Sequence, residues 1–453
     1  MNPQRVIVVG AGHVGLYAAL RLSRKLSSAR AEIVVIDPQP HMTYQPFLPE
    51  AAAGNISPRH SVVPLRRELK NCRVVAGEVI RIEHARKTVT VRPIDGPATE
   101  MAYDHIIVAP GSVSRTLPIP GLRENGIGFK TIGEAIYLRN HILERLDVAA
   151  ATPDPEVRKA SLTFVFVGGG YAGIEALAEM EDVVRDALRT YPELDQDEVR
   201  FVLVEATQRI LPEVGPDMGA YAARQLDARG IDLRLGTRLE SCVDGWVELS
   251  DGEKFKAETL VWTAGVKPSP MLDHTDLPRG PRGHITALPT LQVVDGDRVL
   301  DGAWTAGDCA QVPDLTNPGA YCSPSAQHAV RQAKVLADNI RQVILGGAPK
   351  EYRHKYAGSV ASLGLHKGVA QVYGIKLKGL PAWFMHRTYH VSRIPSLNRK
   401  VRVVADWTLA LLFKRETISL GQLHQPREEF THVTPPPAEP ETRTAEPVGA
   451  GAR

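Results

Sequence analysis

Short apolar runs broken by glycine set the pattern of this chain. Arg5-Val6-Ile7-Val8-Val9 is β-branched without a polar break, as a buried parallel strand requires. Gly10-Ala11-Gly12-His13-Val14-Gly15 follows, and then a segment with Ala18, Ala19, Leu20 and Leu22 that reads as helix. A second run, Glu32-Ile33-Val34-Val35-Ile36, ends on Asp37. The same sentence of residues returns in mid-chain. A strand over 161–167 leads into Gly168-Gly169-Gly170-Tyr171-Ala172-Gly173, a helix begins over 174–180, and the next strand, Arg200-Phe201-Val202-Leu203-Val204, ends on Glu205.

One G-x-G-x-x-G is weak evidence; two in strand–turn–helix context imply that the chain holds two dinucleotides. Gly10 and Gly168 allow the tight turn, Gly12 and Gly170 let a pyrophosphate approach the backbone, and Gly15 and Gly173 let helix pack on strand. The helix N-terminus offers free N–H groups to the phosphates. Asp37 and Glu205 lie where an acceptor for a ribose hydroxyl belongs. An acid at Glu205 repels a 2′-phosphate, so NAD(H) is expected over NADP(H). Three further strands run into glycine turns: Tyr103 to Ser112, with Ala109 and Gly111; Val261 to Val266, with Ala264 and Gly265; and Ala303 to Asp308, with Gly307. Asp308 offers a carboxylate at a strand end, suited to a polyol hydroxyl.

A chain of 453 residues is too long for one core, so two or three domains are expected. Four cysteines form no C-x-x-C pair, which excludes a metal cluster and fits a reducing compartment. The first strand begins by Arg5, so no signal peptide is expected, and no apolar stretch approaches a membrane span. The net charge of +3 hides an asymmetry: residues 353–415 hold twelve Lys or Arg against one acid, Asp406. Leu397, Val401, Val404, Trp407 and Leu411 recur at helical spacing over 396–414, and 380–387 adds aromatics among bases. Such a segment is expected to lie in an anionic membrane surface, apolar face inward and bases toward head groups. No nucleic-acid motif is visible. The Pro/Ala/Glu-rich stretch 431–453 is expected to be disordered.

On these motifs the chain resembles the two-dinucleotide-binding-domain flavoproteins. Their order is an FAD fingerprint, an A-T-G turn (here Ala109-Pro110-Gly111), an inserted NAD domain, and a G-D motif (Gly307-Asp308). Three segments narrow the resemblance to type II NADH:quinone oxidoreductases: Tyr44 to Glu50, Gly168 to Glu175, and Ala326 to Gln332, similar to the family's A-Q-x-A-x-Q. In the last, Arg331 stands where the second glutamine belongs, with Gln332 one place later.

The resemblance implies an α/β chain with two Rossmann-like domains and a C-terminal amphipathic membrane-binding region. Residues 1–115 and 286–355 would form an FAD-binding domain, interrupted by an NAD(H)-binding domain at 116–285. A membrane or dimer region, 356–430, would follow. It also implies bound FAD, NADH as donor and a quinone as acceptor. A hydride would pass to flavin N5 with no proton pumped, on the inner face of the cell membrane. Glu175 and Gln327 become candidate catalytic residues. Glu50, Gln327, Arg331, Gln332 and Lys367 are quinone candidates. Two other readings stand beside this one. A sulfide:quinone oxidoreductase shares the architecture and uses cysteines at the flavin, where Cys242, Cys309 and Cys322 are on offer. A slow flavin redox-sensing or binding protein would follow if Arg331 disables the quinone site.

Overall fold

A computed structural model describes residues 3–355, 357–413 and 415–424, together with the backbone but not the side chains of 422 and 423. The tail expected at 431–453 lies outside the described residues.

Both fingerprint strands become central members of sheets. The first sheet has eight strands. Gln4–Val9 lies between His105–Val108 and Ala31–Asp37, all parallel. Arg73–Glu83 extends one side and Arg298–Thr305 the other, the latter pairing Ala303 with Ile106 and Thr305 with Val108. Antiparallel strands close both edges. A strand from beyond residue 290 thus completes a sheet begun at residue 4. Between those segments the chain builds a second sheet of five parallel strands, ordered Gly126–Gly128, Thr259–Trp262, Thr163–Val167, Arg200–Glu205 and Asp232–Leu235. The two crossings between the sheets pair with each other, Ser112–Ser114 against Val266–Pro268.

The second fingerprint strand starts at Thr163, two residues later than its apolar run suggests. Asp154 caps a helix over Pro155–Ser161 by accepting from the Glu156 and Val157 amides, and that helix takes Ser161. Residues 6–9 of the first fingerprint strand and all of Thr163–Val167 are buried on both faces, which explains their lack of alternation.

The C-terminal part is tied into both cores. A three-stranded antiparallel sheet over 358–378 buries Ala361, Leu363 and Val369 against the second sheet's core. Two helices follow, Leu380–Arg393 and Leu397–Phe413. The second carries the expected face: Leu397, Val401, Val404 and Leu411 are 75%, 61%, 48% and 68% exposed. Trp407 departs from it. That side chain turns inward and meets Phe47 edge-on with centroids 5.7 Å apart, while Val403 is fully buried beside it. The 380–387 stretch departs as well: Leu380 and Phe384 are exposed, but Trp383, His386 and Arg387 are buried. No helix among the described residues is long and apolar enough to cross a membrane.

The close approach at each fingerprint allows no side chain. A Cβ on Gly15 would sit 1.8 Å from the Gly10 carbonyl oxygen, and one on Gly173 would sit 2.0 Å from that of Gly168. Gly15→Ala should therefore lower stability by about 1–3 kcal/mol or more through overpacking, read as a drop in the thermal midpoint. An unchanged midpoint would contradict the strand–helix contact.

Candidate functional site

The two cradles are built alike. Gly12 is the N-cap of the helix His13–Lys25 and Gly170 that of Tyr171–Ala187; neither helix has a side-chain cap or an acid in its first turn. A Cβ on Gly12 or Gly170 would meet nothing within 4 Å, so the space in front of each helix N-terminus is open. A helix N-terminus with open space before it and no side-chain cap is the arrangement a pyrophosphate requires. Asp37 accepts from the Ala11 amide at 2.7 Å and the Gln39 amide at 2.8 Å. Glu205 mirrors it, accepting from the Gly169 amide at 2.6 Å and the Thr207 amide at 2.8 Å. Each acid is thus fixed at its strand end beside the turn. Burial raises the Asp37 pKa, and the two amide hydrogen bonds pull against it.

The first cradle has a wall that the second lacks. Gly307 and Asp308 follow Arg298–Thr305, and Asp308 accepts from the Ser112 hydroxyl at 2.8 Å. Lys130 donates to the same hydroxyl at 2.7 Å, with burial lowering its pKa against the pull of Asp308 and Glu134. Ala109 and Gly111 form the turn under this wall, Gly111 at φ +71° with open space beside it. Ala264 and Gly265 form the matching turn after Thr259–Trp262, Gly265 at φ +89°. His13 opens the first helix, and its Nε2 is buried without a partner among the described residues. Its pKa is lowered to about 4 by burial, against the attraction of Asp308. An open helix N-terminus, a strand-end carboxylate bonded to the turn, a second carboxylate at Asp308 and an orphaned imidazole nitrogen together fit FAD.

The residues expected around a quinone separate in space. Gln332 is 1% exposed, and its carbonyl accepts the Gly307 amide at 2.8 Å; it props the Gly307-Asp308 turn from beneath instead of facing an open pocket. Gln327 turns its amide to residues 354, 357 and 358: Nε2 donates to the Gly358 carbonyl, while Oε1 accepts from the Ala357 amide and lies 3.1 Å from His354 Nε2. Arg331 donates back to the Gln327 carbonyl on its own helix. Lys367 sits in the hairpin turn whose Leu365 amide binds Asp182. None of these four hydrogen-bonds or ion-pairs with Glu175 or Glu50 among the described residues.

Glu50 and Glu175 do come together, at a wedge made by the C-terminal helices. Glu175 is 7% exposed; its Oε1 accepts the Ser362 amide at 2.9 Å and lies 3.0 Å from His386 Nε2. Glu50 is 2% exposed, accepts the Trp407 indole N–H, and pairs with Arg387 at 3.2 Å. The Arg387 guanidinium lies between the rings of Trp383 and Trp407, at 4.0 and 4.7 Å. Glu179, one turn beyond Glu175, accepts from Asn55 at 2.9 Å. Its pKa is raised to about 7, by burial first and then by Asp182 and Glu50, against Arg415 and Arg387. Tyr44 and Phe47 line the same wedge, each within ring contact of His390.

Sequence reasoning missed His386, His390, Arg387 and Glu179. The signal was available: Trp383, His386, Arg387 and His390 recur at spacings of three and four, which marks one helix face. The cysteines carry no reactive pattern. All four are free, and burial pushes the thiols of Cys242, Cys309 and Cys322 up to about 11, which keeps them protonated at neutral pH. Among the described residues no group could hold a metal ion.

The pyridine nucleotide-disulphide oxidoreductase family matches residues 4–333. A type II NADH:quinone oxidoreductase of Staphylococcus aureus is 30% identical over 392 residues, 85% of this chain and 93% of that protein. A type II NADH:quinone oxidoreductase of Mycobacterium tuberculosis is 28% identical, covering 92% of this chain and 89% of its own length. In fold, the chain is similar to NDH2 from Plasmodium falciparum, solved in complex with NADH, with a TM-score of 0.84 at 17% identity over 92% of this chain and all of that one.

Selectivity of the second cradle for NADH over NADPH is the expectation that Glu205 puts to the test. Glu205→Gln removes the charge while leaving an acceptor for the Gly169 amide. The ratio of dissociation constants for NADPH and NADH should fall by about ten-fold or more, the worth of one close charge contact. An unchanged ratio in nucleotide titrations would remove Glu205 from the nucleotide site.

Proposed function

Because this chain belongs to the pyridine nucleotide-disulphide oxidoreductases and, within them, to the type II NADH:quinone oxidoreductases, we propose that it oxidises NADH and reduces a quinone. The observation that carries this reading is the pair of like-built cradles, each with its acid bonded to the fingerprint amides. FAD, when bound, supplies the two-electron relay between nicotinamide and quinone. The protein's part is to hold both partners and manage protons. Gly10, Gly12, Gly15, Asp37, Ala109, Gly111, Gly307 and Asp308 would hold FAD. Gly168, Gly170, Gly173, Glu205, Ala264 and Gly265 would hold NADH.

Residues 1–115 and 286–355 as one FAD domain, with 116–285 inserted, is supported by the shared eight-stranded sheet. The quinone is assigned to the wedge at Glu50 and Glu175, which is bounded by Tyr44, Phe47, Trp407 and the 380–393 helix. Gln327 binds His354, Ala357 and Gly358, ahead of the strands that lead into this region. The sulfide reading finds no support in these protonated thiols, of which Cys242 and Cys309 are buried.

Attachment to the inner face of an anionic membrane, through residues of the 356–430 region, is supported by exposed leucines and valines flanked by Arg402 and Lys400. A homodimer through the same region is a second use of that face. Apolar residues exposed together on one helix mark an interaction surface in either case.

Two outcomes follow. Steady-state assays with a panel of soluble quinones should show NADH oxidation that depends on quinone; quinone-independent turnover alone would defeat the proposal. The triple variant Val401→Asp, Val404→Asp, Leu411→Asp leaves Val403 and Trp407 in place. It should keep its melting temperature but stop pelleting with vesicles of phosphatidylglycerol. Pelleting at the level of the unaltered chain would place the membrane contact elsewhere.

A further inference from the structure

The basic segment 353–415 is neutralised unevenly. Arg387 and Arg415 answer buried acids, and Lys400 donates to the Ser392 carbonyl at 2.8 Å. The segment's one acid, Asp406, is taken: it binds His60 Nδ1 and accepts the Ser57 amide at 2.9 Å. Two arginines of the Leu397–Phe413 helix, Arg399 and Arg402, are left without an acid among the described residues.

Arg402 donates from Nε to Asn398 Oδ1 at 3.2 Å, and its guanidinium lies 3.5 Å from His60 Nε2. Arg399 stands one turn before it, on the same side of the helix. The Arg399 Nε is shut off from solvent and has no hydrogen-bond partner among the described residues. A buried donor in that state costs free energy until an acceptor meets it.

A third arginine comes from the other end of the chain. Arg67 lies exposed on the short helix Leu65–Glu68 and has no ion pair among the described residues. Its charge reaches Arg399. Burial lowers the Arg399 pKa first, Arg402 and then Arg67 lower it further, and Glu68 offsets them only in part. Arginine keeps its proton at physiological pH, so three like charges are held near one another. The fold gathers these cations without supplying anions to match, and a bound anion would relieve their repulsion.

The neighbours of the three arginines narrow the choice of anion. A guanidinium fork matches two phosphate oxygens at once. On the same helix, Leu397 and Val401 are large apolar residues open to solvent. Val401 precedes Arg402 and lies about 100° around the helix from it, so the arginines flank the apolar face. A free phosphate would use the arginines alone. A phospholipid uses both features, because one molecule carries the phosphate and the apolar chains.

We propose that Arg67, Arg399 and Arg402 form a binding site for the phosphate of an anionic phospholipid head group, with the acyl chains laid on Leu397 and Val401. This rests on the membrane reading above and deepens it: attachment includes a single saturable site in addition to a diffuse field. Because Arg67 lies some 330 positions before the other two, a bound lipid would tie the C-terminal helix to the 65–68 helix.

The test uses the FAD-loaded full chain. Calorimetric titration with dihexanoyl phosphatidylglycerol, kept below its micelle threshold, should show saturable binding of one lipid per chain. Dihexanoyl phosphatidylcholine, whose choline cation masks the phosphate, should bind about ten-fold more weakly or worse, and so should inorganic phosphate. Arg399→Lys keeps the charge but not the fork, and should weaken phosphatidylglycerol binding by about ten-fold. Arg67→Gln should lose as much. Arg66→Gln, one position away on the same helix, should lose about five-fold at most, the worth of one base in a diffuse field. Equal losses in Arg66→Gln and Arg67→Gln, or an Arg399→Lys variant that binds like the unaltered chain, would reduce the site to a diffuse basic surface and overturn the proposal. Inorganic phosphate that binds as tightly as the lipid would overturn the lipid assignment. Should Arg399→Lys fail to fold, the comparison of Arg66→Gln with Arg67→Gln decides the matter. Pelleting with phosphatidylglycerol vesicles tests the membrane reading separately. A chain that never pellets ends that reading, while the short-chain titration still decides whether the phosphate site exists.

Discussion

The structure depends on how closely a helix can approach the strand that precedes it. A helix N-terminus attracts a pyrophosphate only when its first amides face open space at short range. In both halves of this chain that range is set by glycine against a carbonyl oxygen, Gly15 on Gly10 and Gly173 on Gly168, at separations that exclude any side chain. The strand-end acids then complete each turn by binding its amides. Everything downstream is positioned from these two corners. The Leu48–Ala52 and Tyr171–Ala187 helices bring Glu50 and Glu175 to the same seam, and the C-terminal helices close over it.

Closing that seam buries charge. Glu50, Glu175 and Glu179 lie in a space from which solvent is largely removed, and an unpaired carboxylate there would be strongly unfavourable. The chain meets this with cations from a segment far away in sequence. Arg387 answers Glu50, His386 answers Glu175, and Arg415 answers Asp186 at 2.9 Å with Glu179 alongside. The basic character of 353–415 therefore has two uses. Some of its charges neutralise a buried acidic seam, and others flank an exposed apolar face. This explains why Trp407 turns away from that face: its ring covers Arg387 and its indole N–H binds Glu50.

What was legible in the sequence was local. Glycine spacing, β-branched runs and strand-end acids are short-range constraints, and they marked both cradles and the amphipathic helix. What was not legible depends on contacts across the chain. Nothing near His386 indicates a carboxylate 211 positions earlier, and a stretch of bases and aromatics reads as exposed until its partner acids are seen. Gln332 shows the same limit. Its motif suggested a pocket residue, but one step of register turned the side chain under Gly307. A one-residue shift on a helix rotates a side chain by about 100°, which is enough to exchange a pocket for a core.

Electrons are proposed to enter at the second cradle and leave at the wedge. Anaerobic double-mixing stopped flow tests it most directly: the FAD-loaded chain is first mixed with one equivalent of NADH, then with quinone. The oxidised-flavin absorbance should be lost in the first mix and return in full in the second. Bleaching that persists in the presence of quinone would contradict it.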